Sequence, residues 1–148
     1  RLDLVLDAMT TPALSDARLV LVGEGPAHDE LVRRARDLGL AARVHFAGPR
    51  AHDAIPGCLA AFDVALVPAI NPYASPLKLY EYLAAGLAVV EPGSGTSLTA
   101  ALARLAGDRT LRERLGARAR ATIVERDLTW RGNARRVVEA VERLRREA

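Results

Sequence analysis

The feature that most constrains this chain is a repeated alternation. Short apolar runs are stopped by glycine, proline or an acid, and each is followed by a stretch of helical spacing. "ARLVLVG" (Ala17–Gly23) is a compact apolar run ended by glycine, the pattern of a buried strand. "RVHFAG" (Arg43–Gly48), "DVALVP" (Asp63–Pro68) and "LAVV" (Leu87–Val90) repeat it. Between the first two, "HDELVRRARDLGL" sets Leu31, Ala35 and Leu38 on one helical face, with Pro26 in the first turn and Gly39 as the end. "DAIPGCLAAF" and "PLKLYEYLAAG" supply the next two helices, and Leu2, Val5, Leu6 and Met9 space out a short one at the start. "LTAALARLAGD", "TLRERLGARARATIVER" and "WRGNARRVVEAVERLRREA" form a helical tail. Strands alternating with helices predict an α/β fold, a Rossmann-like parallel sheet flanked by helices.

The 148 residues fit one domain, residues 1–148, large enough to bury a core without disulfides. A single cysteine, Cys58, excludes an intrachain disulfide and a cysteine metal cluster, and reads as packing. His28, His45 and His52 show no metal-ligand spacing, although His52 falls in a loop that could touch a ligand. The net charge of +3 rests on arginines interleaved with acids, and aromatics are only 4% of the chain. A stacking, polyanion-binding surface is therefore not expected, and nucleic acid is not the expected partner. No apolar run approaches the ~20 residues of a membrane span.

Ligands of parallel α/β sheets bind beyond the carboxyl ends of the strands. The segments to inspect are therefore Gly23–Pro26, Gly48–His52 and Pro68–Ser75. The last leads into "SPLKLYEYLAAG", which holds the only lysine in the chain, Lys78. Helix N-termini present unpaired N–H groups and positive dipole, a ready site for phosphate. Ser75 is a candidate N-cap. A cation in the first turn opposes the dipole unless an anion sits there. Lys78 and Glu81 share a face at i,i+3, and a carboxylate there could accept both hydroxyls of a ribose. A surface salt bridge between the two is the competing reading.

"LVGEGP", "LGLAARVHFAG", "DVALVPA" and "SPLKLYEYLAAGLAVV", in this order and spacing, resemble the C-terminal, donor-binding domain of family 4 (group 1) glycosyltransferases of the GT-B type. With "LRERLGARAR" and "TW" downstream the resemblance covers nearly the whole chain. It implies the donor-binding domain of a retaining glycosyltransferase, a hexosyltransferase-like enzyme. Such an enzyme transfers a sugar from a nucleotide-diphosphate sugar to an acceptor, with no essential metal or cofactor. The acceptor would sit on an N-terminal domain of the same longer chain, so this chain alone is expected to be inactive, and no catalytic residue is assigned within it. A cytoplasmic protein is expected, with peripheral membrane contact through the absent domain left open. The alternative is a non-catalytic nucleotide or sugar-phosphate binding module.

By the same match Glu81 corresponds to the family glutamate that binds donor ribose. Ser75, Pro76, Leu77 and Lys78 border the diphosphate and sugar. Pro49 and Arg50 of "FAGPR" meet the base, although Arg50 could equally be an exposed loop arginine. Gly23 and Gly25 turn the chain at the cleft, or serve a purely structural turn. The family's first glutamate would fall where this chain has Tyr73, which leaves the identity of the sugar open.

Two further departures set expectations. The family's first strand, with the arginine and lysine that follow it, is missing before Arg1, and the start reads as a cut. About twenty residues are also missing between Val90 and Glu91 relative to the usual α/β unit. Trp130 is expected to anchor the final helix.

Overall fold

The computed structural model describes residues 1–67, 77–91 and 97–147. Helix α1 (Leu2–Ala8) leads through a 3-10 turn (Pro12–Leu14) to β1 (Leu19–Val22). Helix α2 (His28–Asp37) crosses to β2 (Val44–Gly48), and a 3-10 turn (His52–Ala54) opens into α3 (Ile55–Ala60). Then follow β3 (Val64–Leu66), α4 (Leu77–Ala84) and β4 (Ala88–Val90). Helices α5 (Leu98–Gly107), α6 (Arg109–Glu125) and α7 (Trp130–Glu147) complete the chain. Among the described residues no helix is long and apolar enough to cross a membrane.

The four strands pair in parallel, as the alternation of strand and helix requires. They stand as two two-stranded sheets, β1–β2 and β3–β4. In the first, Leu19 opposes Val44 and Val22 opposes Gly48, with a register slip between Leu21 and Val22. In the second, Val64, Ala65 and Leu66 oppose Ala88, Val89 and Val90. Among the described residues no strand hydrogen-bonds the two sheets together.

The core follows the predicted faces. Val5, Leu6 and Met9 of the first segment pack with Leu31 and Ala35 of α2 and with Leu19 and Val44 of the first sheet. Leu6 is completely buried, so its truncation to alanine would remove about 2–5 kcal/mol. A second cluster joins Ala88 and Val90 of β4 to Leu102 and Leu105 of α5, Leu111 of α6 and Leu14 of the first 3-10 turn. The Arg43 guanidinium ties the elements together, donating to the Leu14 carbonyl at 2.7 Å and the Met9 carbonyl at 2.8 Å. Two carbonyls at a chain reversal thereby gain a charged donor, a match that only a forked cation makes.

Glycine ends two helices as predicted, by the same device. Gly39 (φ 69°) and Gly86 (φ 75°) adopt the left-handed conformation. Gly39 N–H bonds Arg36 O and Leu40 N–H bonds Ala35 O; Gly86 N–H bonds Leu83 O and Leu87 N–H bonds Tyr82 O. These are Schellman closures, for which a side chain at the left-handed position is unfavourable. Side-chain caps open α5 and α6: Ser97 Oγ accepts from Ala100 N–H and Asp108 Oδ1 from Leu111 N–H.

Two expectations need correction. Pro26 is not in the first turn of α2; it lies in a turn closed by His28 N–H on Gly25 O, and the helix begins at His28. Trp130 does not anchor α7, because its side chain is 81% exposed. The helix start is held by polar groups instead. Thr129 Oγ1 accepts the Gly132 N–H, and Asp127 pairs with Arg135 at 2.6 Å. Of the residues of α7, Gly132 alone is buried, and Val137, Val138, Val141 and Leu144 face outward.

Candidate functional site

Helix α4 carries the residues singled out for donor chemistry, and its placement is dictated at its far end. Gly86 turns the chain sharply into β4, and α6 presses Gly116 against that turn. The approach is so close that a β-carbon on Gly116 would collide with the Gly86 carbonyl. The α4 axis is thereby set against the sheet and the helix.

Seen from its other side, α4 forms one wall of a cleft of about 1610 Å³. Leu77, Lys78, Glu81 and Tyr82 line it. Their spacing places all but Leu77 on one face at i, i+3 and i+4. Gly23, Glu24, Gly25 and Pro26, at the carboxyl end of β1, line the cleft as well. Gly23 (φ 122°) takes a conformation that other residues rarely adopt, and its N–H bonds the Gly48 carbonyl at 2.9 Å. His28 and His52 also line the cleft; His28 Nδ1 lies 3.0 Å from Asp29 and its ring stacks edge-on at Phe46.

Lys78 is exposed and Glu81 is half-buried. No ion pair joins them, so the surface-bridge reading of this pair does not hold in the structure. Among the described residues neither side chain has an ion-pair partner, and a cation and a carboxylate one helical turn apart in a cleft can grip two different groups of one ligand. The Tyr82 hydroxyl, partly buried beside them, has its pKa raised, first by burial and then by the negative charge of Glu81. It is neutral at physiological pH and can donate a hydrogen bond.

Other predicted residues fall elsewhere. Pro49 and Arg50 are exposed and do not line the cleft; Arg50 Nη1 reaches only the Pro49 carbonyl, at 3.3 Å. Tyr73, Ser75 and Pro76 lie outside the described residues. Tyr82 and Glu24 are cleft residues that sequence reasoning passed over. The signal for Tyr82 was present, since it stands four residues after Lys78 on the same helical face. Glu24 lies within the Gly23–Pro26 segment that strand-end topology pointed to, without a signal of its own. Among the described residues no group of histidine, cysteine and acidic side chains could hold a metal ion.

The profile of the family described as "Glycosyl transferases group 1" matches residues 1–99. The chain belongs to this family of glycosyltransferases. Two solved structures share the fold of this glycosyltransferase chain, that of GT-B enzymes. The crystal structure of HepE from Anabaena, in complex with UDP, superimposes with a TM-score of 0.68 at 23% identity, over 83% of this chain and 40% of that one. That of WaaG, described as a glycosyltransferase involved in lipopolysaccharide biosynthesis, gives 0.68 at 24% identity, over 82% and 38%. The chain thus spans about two fifths of the length of each. No curated protein matches the sequence.

Proposed function

We propose that the cleft is the donor site of a retaining glycosyltransferase, binding a nucleotide-diphosphate sugar between α4 and the Gly23–Pro26 loop. The observation that carries this is the placement of Lys78 and Glu81 on one face of α4, inside a cleft, in a chain of the glycosyltransferase family. Glu81 accepts the vicinal hydroxyls of the ribose. Lys78 offsets the diphosphate charge, which grows as the bond from the anomeric carbon to the leaving oxygen breaks. Tyr82 donates to a phosphate or sugar oxygen from the same face. The UDP held by HepE, a protein of the same fold, supports a nucleotide as the ligand class. No metal is required, because a lysine and the amino end of a helix supply the positive charge.

On this reading the chain is the donor half of a longer enzyme. The acceptor and any general base come from an N-terminal domain across the cleft, and this chain alone does not turn over. The cytoplasm or the membrane periphery suits an enzyme using nucleotide sugars. A non-catalytic nucleotide module is favoured only by Tyr73, standing where the resemblance expects a glutamate. Transfer by the longer protein would dismiss it.

Calorimetric titration with UDP and with GDP tests the proposal. Binding in the micromolar to millimolar range is expected for one of them, weakened at least tenfold in Glu81→Ala. Absence of binding by the folded full-length protein would overturn it.

A further inference from the structure

Helix α7 is clamped at one end and by one side. The clamp is Asp127, which takes the left-handed conformation (φ 47°). Its carboxylate accepts from Arg135 at 2.6 Å and its carbonyl from Arg136 at 3.2 Å. Gly132, the one buried residue of the helix, is pressed so close that a β-carbon there would strike the Asp127 carbonyl and carboxylate oxygens. At about 100° per residue, Gly132, Arg135 and Arg136 share one side of the helix.

The opposite side is apolar. Trp130, Ala134, Val137, Val141 and Leu144 recur at alternating intervals of four and three, which draws one straight stripe, and Val138 widens it. Val141 stands nine residues beyond Gly132, about two and a half turns, and so on the other face. All six are exposed, Val137 at 63% and Leu144 at 66%. An amphipathic helix draws most of its stability from covering such a face, and a contiguous exposed apolar patch marks an interaction site.

Charge selects the occupant. The helix carries six arginines and three glutamates. Arg131 and Arg145 border the stripe on the side of Val138, with Glu142 further round the helix behind them; Asn133 and Ala140, both uncharged, border the other side. A second copy is a poor fit. Antiparallel pairing that sets Val137 of each copy on Val141 of the other also sets Arg131 against Arg145, twice, and parallel pairing brings Ala140, not an acid, to Arg145. An anionic surface that imposes no register fits better. Arginine stems run along apolar surface while their heads reach phosphates, and tryptophan suits the boundary between apolar and wet. An apolar stripe opposite an arginine-rich face is the pattern of a helix that lies in a membrane interface. The helix is not long and apolar enough to cross one.

We infer that α7 is a membrane-surface helix that docks the protein on a bilayer containing anionic lipids. The helix lies in the plane of the surface. The stripe from Trp130 to Leu144 enters the boundary of the acyl chains, and Arg131 and Arg145 pair with lipid phosphates. The Asp127 clamp grips the helix from the opposite side, so the body of the protein stands above the surface. None of this requires a nucleotide in the cleft.

Flotation of the full-length protein with lipid vesicles tests the docking. Binding is expected to vesicles of mixed phosphatidylglycerol and phosphatidylcholine, and at least about tenfold weaker binding to phosphatidylcholine alone. Val137→Glu combined with Val141→Glu should abolish binding to both. Arg131→Gln combined with Arg145→Gln should weaken binding to the anionic vesicles about tenfold and leave the urea midpoint unchanged, so this variant decides the matter if the valine variant fails to fold. No binding by the parent protein overturns the inference, and so does binding that the arginine variant leaves unchanged. Self-association without vesicles that the valine variant abolishes would assign the face to a second copy and overturn it as well.

Discussion

Gly116 in the middle of α6 lies against the carbonyl of Gly86, the residue that ends α4. Two elements far apart in sequence meet at backbone distance: a side chain at Gly116 would strike the Gly86 carbonyl, and Gly86 itself holds the left-handed conformation. The contact sets the helix that bears Lys78 and Glu81, so stability and site geometry meet at one point.

Gly116→Ala should therefore destabilise the fold by about 1–3 kcal/mol. The obstructing atom is backbone and cannot swing aside. Gly86→Ala should cost about 1 kcal/mol from its left-handed backbone alone. Urea unfolding of both variants measures this. The Gly116 variant should also weaken nucleotide binding, because α4 must shift to admit the methyl group.

Arg43 makes a second long-range tie. Its carbonyl partners belong to the buried residues Leu14 and Met9, and hydrogen bonds to a charged donor contribute about 1.5–3 kcal/mol each. Arg43→Met should cost at least about 2 kcal/mol by the same unfolding assay. Arg43→Lys should recover only part, since an ammonium on a single stem does not reach both carbonyls as a fork does.

The cap at Asp108 offers a cleaner local test. Asp108→Ala leaves the Leu111 N–H without its acceptor and should lower stability by about 1 kcal/mol. Asp108→Asn keeps an acceptor oxygen in place and should lose only a few tenths.

Tyr82 predicts an alkaline dependence. Its folded-state pKa lies above the ordinary value of 10.0. The native state holds the proton more tightly than the unfolded chain does. That stability is fully present below pH 10 and is lost as the pH rises through the folded value. Urea midpoints measured from pH 8 to 11 should fall less steeply for Tyr82→Phe than for the parent chain.

Lys78 distinguishes charge from shape in the donor cleft. Lys78→Ala should weaken nucleotide diphosphate binding about tenfold or more and flatten its salt dependence. Lys78→Arg should keep the salt dependence. Titrations at low and high salt, alongside Tyr82→Phe, separate phosphate attraction from hydrogen bonding.

The sequence by itself determined what short-range periodicity can express. The apolar runs and the i, i+3, i+4 faces placed the described strands and helices to within a residue or two. Glycine in the left-handed conformation ended α2 and α4 at Gly39 and Gly86. The shared face of Lys78 and Glu81 follows from helix geometry alone, and the ordered motifs pointed to the glycosyltransferase family that the profile matches. Only the tertiary structure decided how these pieces meet. It formed no ion pair between Lys78 and Glu81, added Tyr82 and Glu24 to the cleft, put Arg50 outside it and left Trp130 exposed. It also left the strands as two sheets with a gap between them. Local pattern reports a residue's own backbone and nearest turn. The approach of Gly116 to Gly86, the reach of Arg43 and the width of the cleft depend on packing between segments tens of residues apart. No periodicity within one segment records that.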